Sequence, residues 1–179
     1  MNEASPRYRL PAQILHWVSA LAIICGVSLG VAMVNVAQGP LQNQLFDLHR
    51  SFGALILALT GVRLLWRLYS PPQPMVVDMP AWQERAARVT HVALYMLLFA
   101  VPLVGWAGTS AFGAAIRVFG LFTLPMILEE NKPLADVLLK LHMALAFTLC
   151  ALFVMHIGAA LHHHFIRKDD TLRRMLPKL

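Results

Sequence analysis

The sequence predicts an all-α integral membrane protein, a four-helix bundle with both termini cytoplasmic. Three observations carry this. Apolar residues make up 58% of the 179-residue chain against 13% charged, and mean hydropathy is +0.62, far from an ordinary soluble domain. Four apolar stretches are each long enough to cross a hydrocarbon core of about 30 Å. The cations gather on one side of those stretches, the asymmetry that marks cytoplasmic segments. The length suits one domain, residues 1–179, with no linker, low-complexity tract or repeat.

The first span covers 12–36, and Pro11 suits its opening turn. No small-residue cleavage pattern follows this run, so it reads as a retained helix and not a signal peptide. Gly39-Pro40 closes the connection to the second span, 48–68, which Ser70-Pro71-Pro72 stops sharply. The third span, 89–111, contains Pro102, which is expected to kink it. The stretch 111–128 is apolar but broken by Gly113, Gly120 and Pro125. It is expected to be a short interfacial helix or a re-entrant cover on the outer side, not a fifth span. The fourth span covers 137–161. Cys25 and Cys150 both fall inside spans and read as small buried hydrophobes, not a disulfide or metal pair.

Arg7, Arg9, Arg63, Arg67, Arg85, Arg88, Arg167, Lys168, Arg173, Arg174 and Lys178 are eleven of the fifteen cations and fall on one side. Arg50, Arg117, Lys132 and Lys140 fall on the other, offset by Asp47, Glu129, Glu130 and Asp136. The first side is therefore assigned to the cytoplasm. The net charge of +6 reports topology before partners, and no nucleic-acid role is expected.

The fourth span holds His142 and His156, fourteen residues apart. On a helix both imidazoles point the same way, about 21 Å apart. That places one near each edge of the bilayer core, an arrangement able to hold two haems in series. At the outer level the only partner is His49. At the inner level His156 faces either His16 or His91, and depth alone does not choose. Ionisable side chains in spans are costly without a partner or ligand. A single histidine near a helix end is most simply an interfacial, hydrogen-bonded residue; five at matched depths favour bis-histidine haem ligation. The absence of a Cys-x-x-Cys-His motif makes any haem b-type. Two layers so far apart do not suit a zinc site.

Several blocks carry a family resemblance: Ile14-Leu15-His16-Trp17, Leu48-His49-Arg50-Ser51-Phe52-Gly53, Val62-Arg63-Leu64-Leu65-Trp66-Arg67, Thr90-His91-Val92 and Leu141-His142. The most specific is Ala160-Leu161-His162-His163-His164-Phe165 followed by Lys168-Asp169-Asp170-Thr171-Leu172. With them nearly the whole chain resembles the bacterial cytochrome b561 family of four-helix di-haem membrane proteins. More distantly it resembles the cytochrome b subunits of membrane hydrogenases and formate dehydrogenases. The resemblance implies two haem b groups in the bacterial cytoplasmic (inner) membrane. The inner haem iron would take His16 and His156 as axial ligands, the outer His49 and His142, and His91 would be a non-ligand.

Four haem propionates call for cations near the interfaces. Arg63 and Arg67, one turn apart, are candidates at the inner haem; snorkelling and topology explain them equally well. Gly26, Gly30 and Gly53 would admit a porphyrin or simply a close neighbouring helix. His163 lies seven residues beyond His156, nearly on the same face and about 10 Å nearer the cytoplasm. A quinone headgroup there would find a donor of hydrogen bonds and protons, with His91, Trp17 and His162 as wall residues.

The resemblance implies an oxidoreductase: superoxide, or another small outer donor, is oxidised at the periplasmic face and ubiquinone is reduced near the cytoplasmic side. Membrane lipid surrounds the bundle, and no obligatory protein partner is expected. The alternative is a quinol-linked electron-transfer subunit serving a separate redox partner.

Overall fold

The computed structural model describes residues 7–71 and 80–177, so Pro72 and Lys178 lie outside the described residues. Four helices dominate: α1 Leu10–Asn35, α2 Pro40–Tyr69, α3 Ala81–Ala111 and α4 Lys132–His162. All four are long and apolar enough to span a membrane. Prolines open three of them, in the first turns of α1, α2 and α4, where a missing N–H leaves no bond unmade. The Asn131 side chain caps α4 by accepting from Leu134 N–H at 3.1 Å. Tyr69 ends α2 ahead of Ser70, as expected, and α3 continues through Pro102.

The helices are longer than the apolar runs. The second begins at Pro40, not residue 48, and the third at Ala81, not residue 89. Hydropathy finds only what lies in hydrocarbon, whereas hydrogen bonding continues a helix through its polar turns. His49 and His91 are therefore well inside their helices and not at their starts.

The largest departure is the segment after α3. It forms no helix. Strands β1 Ile116–Val118 and β2 Phe122–Leu124 make an antiparallel hairpin, with Arg117 opposite Thr123. Gly113, Gly120 and Pro125 break helix propagation, while Ile116, Val118 and Thr123 are β-branched. Phe119 and Gly120 turn the chain at φ 49° and 73°, the left-handed values a tight hairpin turn requires. A phenylalanine rarely adopts that conformation. Here α2 holds it: its N–H donates to Ser51 Oγ at 2.9 Å, and its ring meets Phe52 edge-on at 5.5 Å.

The chief packing pairs are α1 with α2 and α3 with α4, and β1 rests on α2. Ile23, Leu94, Leu98, Val101 and Leu149 form the buried cluster. Leu149 lies seven residues from both His142 and His156, so this cluster occupies the middle of the bundle between two histidine levels. Ser19 and Thr60 are buried and donate to carbonyls four residues back, which satisfies a hydroxyl without water. Leu21, Leu65, Phe147 and Val154 are among many large apolar side chains left on the outside, a surface suited to acyl chains.

At the end away from the hairpin, residues 174–176 return to the start of α1. Tyr8 N–H and Gln13 Nε2 donate to Arg174 O, and Trp17 Nε1 donates to Met175 O at 2.8 Å. The two described termini thus share one end of the bundle.

Ser51→Ala removes the hydroxyl that accepts from Phe119 N–H and lies within reach of the Asp47 and Arg117 carbonyls. The hairpin should loosen by about 1–2 kcal/mol, seen as faster protease cleavage within 116–124 while helix content is unchanged.

Candidate functional site

Five histidines gather into two levels. At the hairpin end, His49 of α2 and His142 of α4 face each other with ring centroids 5.9 Å apart. At the terminal end, His156 of α4 has two neighbours, His16 of α1 at 6.3 Å and His91 of α3 at 5.2 Å. The pairings expected from spacing are therefore brought together, and the choice between His16 and His91 is not made by distance.

The hairpin-end pair is held in a defined orientation. His49 Nδ1 lies 2.9 Å from the carbonyl of Gly26, and His142 Nδ1 lies 2.9 Å from the carbonyl of Val101. A carbonyl only accepts, so each Nδ1 carries the proton and each Nε2 presents a lone pair. That tautomer is the one a metal ligand needs, and a second hydrogen bond of this kind fixes a ligating imidazole. The two rings border a cavity of about 840 Å³ whose wall includes Phe46, Trp106, Phe112, Phe119 and Phe122 together with Arg50. A predominantly apolar hollow of this size, with two convergent imidazoles, suits a large flat cofactor. Gly53 also lines it, with open space where a side chain would be.

The terminal-end level is built differently. Arg63 Nη2 donates to His16 Nδ1 at 3.2 Å and lies over the Tyr95 ring. His16 therefore carries its proton on Nε2 in this arrangement, and Trp17 packs edge-on against it at 5.3 Å. Arg67 joins Arg63 on a small hollow of about 50 Å³ with Tyr8, Trp66, Ser70, Tyr95 and Met175. Arg63 thus touches the histidine level directly, and Arg67 lies one turn further toward the end of α2.

His163 opens a π-helical turn, His163–Arg167, that continues α4, a departure from α geometry often found at functional sites. Its Nδ1 lies 2.6 Å from Asp169 Oδ2. Asp169 also accepts from Thr171 N–H and lies 3.5 Å from Arg167 Nε. Lys168, at φ 56°, turns the chain so that Asp169 reaches back. Burial alone would raise the Asp169 carboxyl; hydrogen bonds from Thr171 and His163 outweigh it and hold it below the usual carboxylate range.

At the hairpin end, Arg50 pairs with Asp47, Lys132 with Glu130 and Lys140 with Asp136. This agrees with the balanced cations and acids expected there.

The sequence did not single out Gly105, Ser51 or Asp169. A glycine one turn beyond an acceptor carbonyl gives no local signal until its partner helix is known. Asp169 lay in the most specific block but was read only as part of a motif.

A four-helix membrane bundle with paired imidazoles at two depths is the architecture of a haem-binding membrane cytochrome. The family model for prokaryotic cytochrome b561 matches residues 7–178. The chain is 39% identical over 173 residues to cytochrome b561 homolog 2 of Escherichia coli (strain K12), covering 96% of this chain and 92% of that protein. It is 34% identical to the probable superoxide oxidase CybB of Yersinia pestis over 92% of each chain. It is 31% identical to cytochrome b561 homolog 1 of Escherichia coli (strain K12), covering 92% of this chain and 93% of that protein. The chain belongs to the prokaryotic cytochrome b561 family, whose members bind haem b and transfer electrons in the membrane. It is a multi-pass protein of the bacterial inner membrane. The donor set fits haem b, with two Nε2 lone pairs free across an apolar cavity.

A carboxyl held low adds stability above its ordinary titration range and loses it as pH falls through the lowered value. The contribution of Asp169 to the 163–171 turn should therefore be constant from neutral pH down to about 4 and fall away below that. Amide hydrogen exchange across 163–171 in detergent, corrected for its intrinsic pH dependence, reads this. Asp169→Asn should remove about 1–3 kcal/mol from the turn at neutral pH, so that a neutral protease cuts there sooner.

Proposed function

We propose that this chain is a superoxide:quinone oxidoreductase with two haem b groups. The observation that carries the reading is the hairpin-end pair, two imidazoles each fixed through Nδ1 on a helix carbonyl with ring centroids 5.9 Å apart. The helix of His142 brings His156 to a second level fourteen residues on. His49 and His142 would hold the iron of the outer haem, and His16 and His156 that of the inner. When bound, the two haems supply one-electron carriers at two depths, so donor oxidation and quinone reduction take place at opposite faces. The reaction consumes two superoxide anions, one quinone and two protons, and yields two oxygen molecules and one quinol.

The terminal end, where Arg7, Arg9, Arg67 and Arg173 cluster, faces the cytoplasm in this reading, and the hairpin faces the periplasm. Phe46, Trp106 and the hairpin phenylalanines exclude water from the outer site. Arg63 and Arg67 neutralise propionates at the inner one, which requires Arg63 to leave His16 Nδ1. His16 then presents Nε2 as its partners do, and His91 remains a wall residue.

His163 is the proton donor to ubiquinone. Asp169 accepts from its Nδ1 and orients the ring, so Nε2–H can donate to a quinone oxygen and regain its proton from the cytoplasm. The cationic tail surrounding it favours a developing quinone anion.

The second reading is a quinol-linked subunit that serves a separate redox partner. It is favoured by the three ion pairs at the hairpin end, which leave little net field to draw in an anion.

Stopped-flow spectroscopy of the purified protein separates the two. Pulsed superoxide should reduce haem within the mixing experiment, and reoxidation should follow only when a ubiquinone analogue is present. Prompt reduction by quinol with none by superoxide would establish the second reading. His142→Ala should lower haem content from two per chain to one, by pyridine haemochrome assay. His163→Ala should leave superoxide-driven reduction intact and slow quinone-dependent reoxidation by about 100-fold.

A further inference from the structure

One construction appears twice at the outer histidines. In α1 the carbonyl of Gly26 accepts from His49 Nδ1, and the residue four positions on is Gly30. In α3 the carbonyl of Val101 accepts from His142 Nδ1, and the residue four positions on is Gly105. The spacing has a geometric cause. The Cβ of a helical residue tilts toward the N-terminus, so a side chain at position i+4 leans over the carbonyl of residue i. Any side chain there would contest the place taken by the imidazole.

The distances show how tight that place is. A Cβ at Gly105 would stand 2.8 Å from His142 Nδ1 and 3.0 Å from its Cε1. A Cβ at Gly30 would stand 3.1 Å from His49 Cε1 and 3.2 Å from its Nδ1. Neither ring can swing aside and keep its bond to the carbonyl. Gly108, one turn further along α3, is just as crowded, but there the Cβ would meet Leu139 Cδ2 at 2.9 Å. Leu139 Cγ at 3.1 Å and Leu138 Cβ at 3.3 Å crowd it as well, so a side chain there tests the packing of α3 on α4 without meeting a histidine. Gly61, by contrast, has nothing within 4 Å.

We propose that Gly30 and Gly105 are the positioning residues of the outer haem site. Each sets the depth and tilt at which its histidine presents Nε2 to the iron. The proposal rests on reading His49 and His142 as the outer ligands. His16 has no equivalent arrangement, because Arg63 and not a helix carbonyl occupies its Nδ1. The effect of altering these glycines therefore falls on one haem of the two.

The test uses the purified holoprotein, with haem per chain and the low-spin ferric EPR signals as readouts. Gly105→Ala, with the closer contact, should lower haem from two per chain to one and leave the inner signal in place. Gly30→Ala, with the milder contact, should retain both haems but shift the g values and midpoint potential of the outer one. Gly61→Ala, which meets nothing within 4 Å, should leave both signals as they are, and Gly108→Ala should disturb the outer signal less than Gly105→Ala does. An unshifted outer signal in both Gly105→Ala and Gly30→Ala overturns the proposal. So does Gly108→Ala matching Gly105→Ala, since that assigns the effect to general packing of α3 on α4. If Gly105→Ala loses both haems, Gly30→Ala decides: an outer shift beside an intact inner signal supports the proposal, and no shift overturns it. His142→Ala retaining both haems would refute the ligand assignment itself, a different result from His142→Ala losing one haem while the glycine variants change nothing.

Discussion

An imidazole buried at membrane depth must give its proton to an acceptor inside the protein, because no water waits nearby. At the hairpin end both histidines meet this demand through a main-chain carbonyl of the adjacent helix. Much else follows from that bond. It selects the tautomer and turns Nε2 toward the cavity. It also holds α1 on α2 and α3 on α4 at a separation that leaves little room for a side chain one turn further on, least of all at Gly105. Each acceptor carbonyl already belongs to its own helix, so the imidazole uses the second lone pair and costs the helix nothing in hydrogen bonds.

The two levels solve the same problem in unlike ways. At the hairpin end the acceptors are backbone, rigid and uncharged. At the terminal end the neighbours are side chains: a guanidinium on His16, a third imidazole beside His156, and the His163–Asp169 pair below. Backbone acceptors suit a site that stays fixed while electrons pass. Side chains that can rotate or exchange protons leave the terminal level freer to rearrange. Between them lies the cluster of Ile23, Leu94, Leu98, Val101 and Leu149, which keeps the bundle dry at mid-depth.

Much of this was legible in the chain. The fourteen-residue interval from His142 to His156 follows from helical pitch, and the depths of His16, His49 and His91 follow from the spans. The outer pair, and the inner group of three, were therefore readable in the chain, but not which of His16 and His91 partners His156. The hairpin was not, because 111–128 is mostly apolar and hydropathy does not separate an interfacial helix from two short strands. The positive φ of Phe119 is set by Ser51 and Phe52, more than sixty residues away. Gly105 was hidden for a similar reason. Its significance lies in a contact with α4, and within its own helix it reads as an ordinary small residue. Asp169 needed the reversal of direction at Lys168 before its pairing with His163 could be seen.

The link between Gln13, Trp17 and the carbonyls of residues 174 and 175 also fixes an order of events during synthesis. The first helix enters the membrane while the chain that completes its surroundings is still unmade. His16 stands between the two residues that await that chain. The terminal end of the bundle can close only after translation has passed residue 175 and the tail has returned to α1. The hairpin end, finished when α4 has been inserted, can close earlier. Maturation of the protein thus has a direction, running from the hairpin toward the termini, written into the connectivity of a few carbonyl groups.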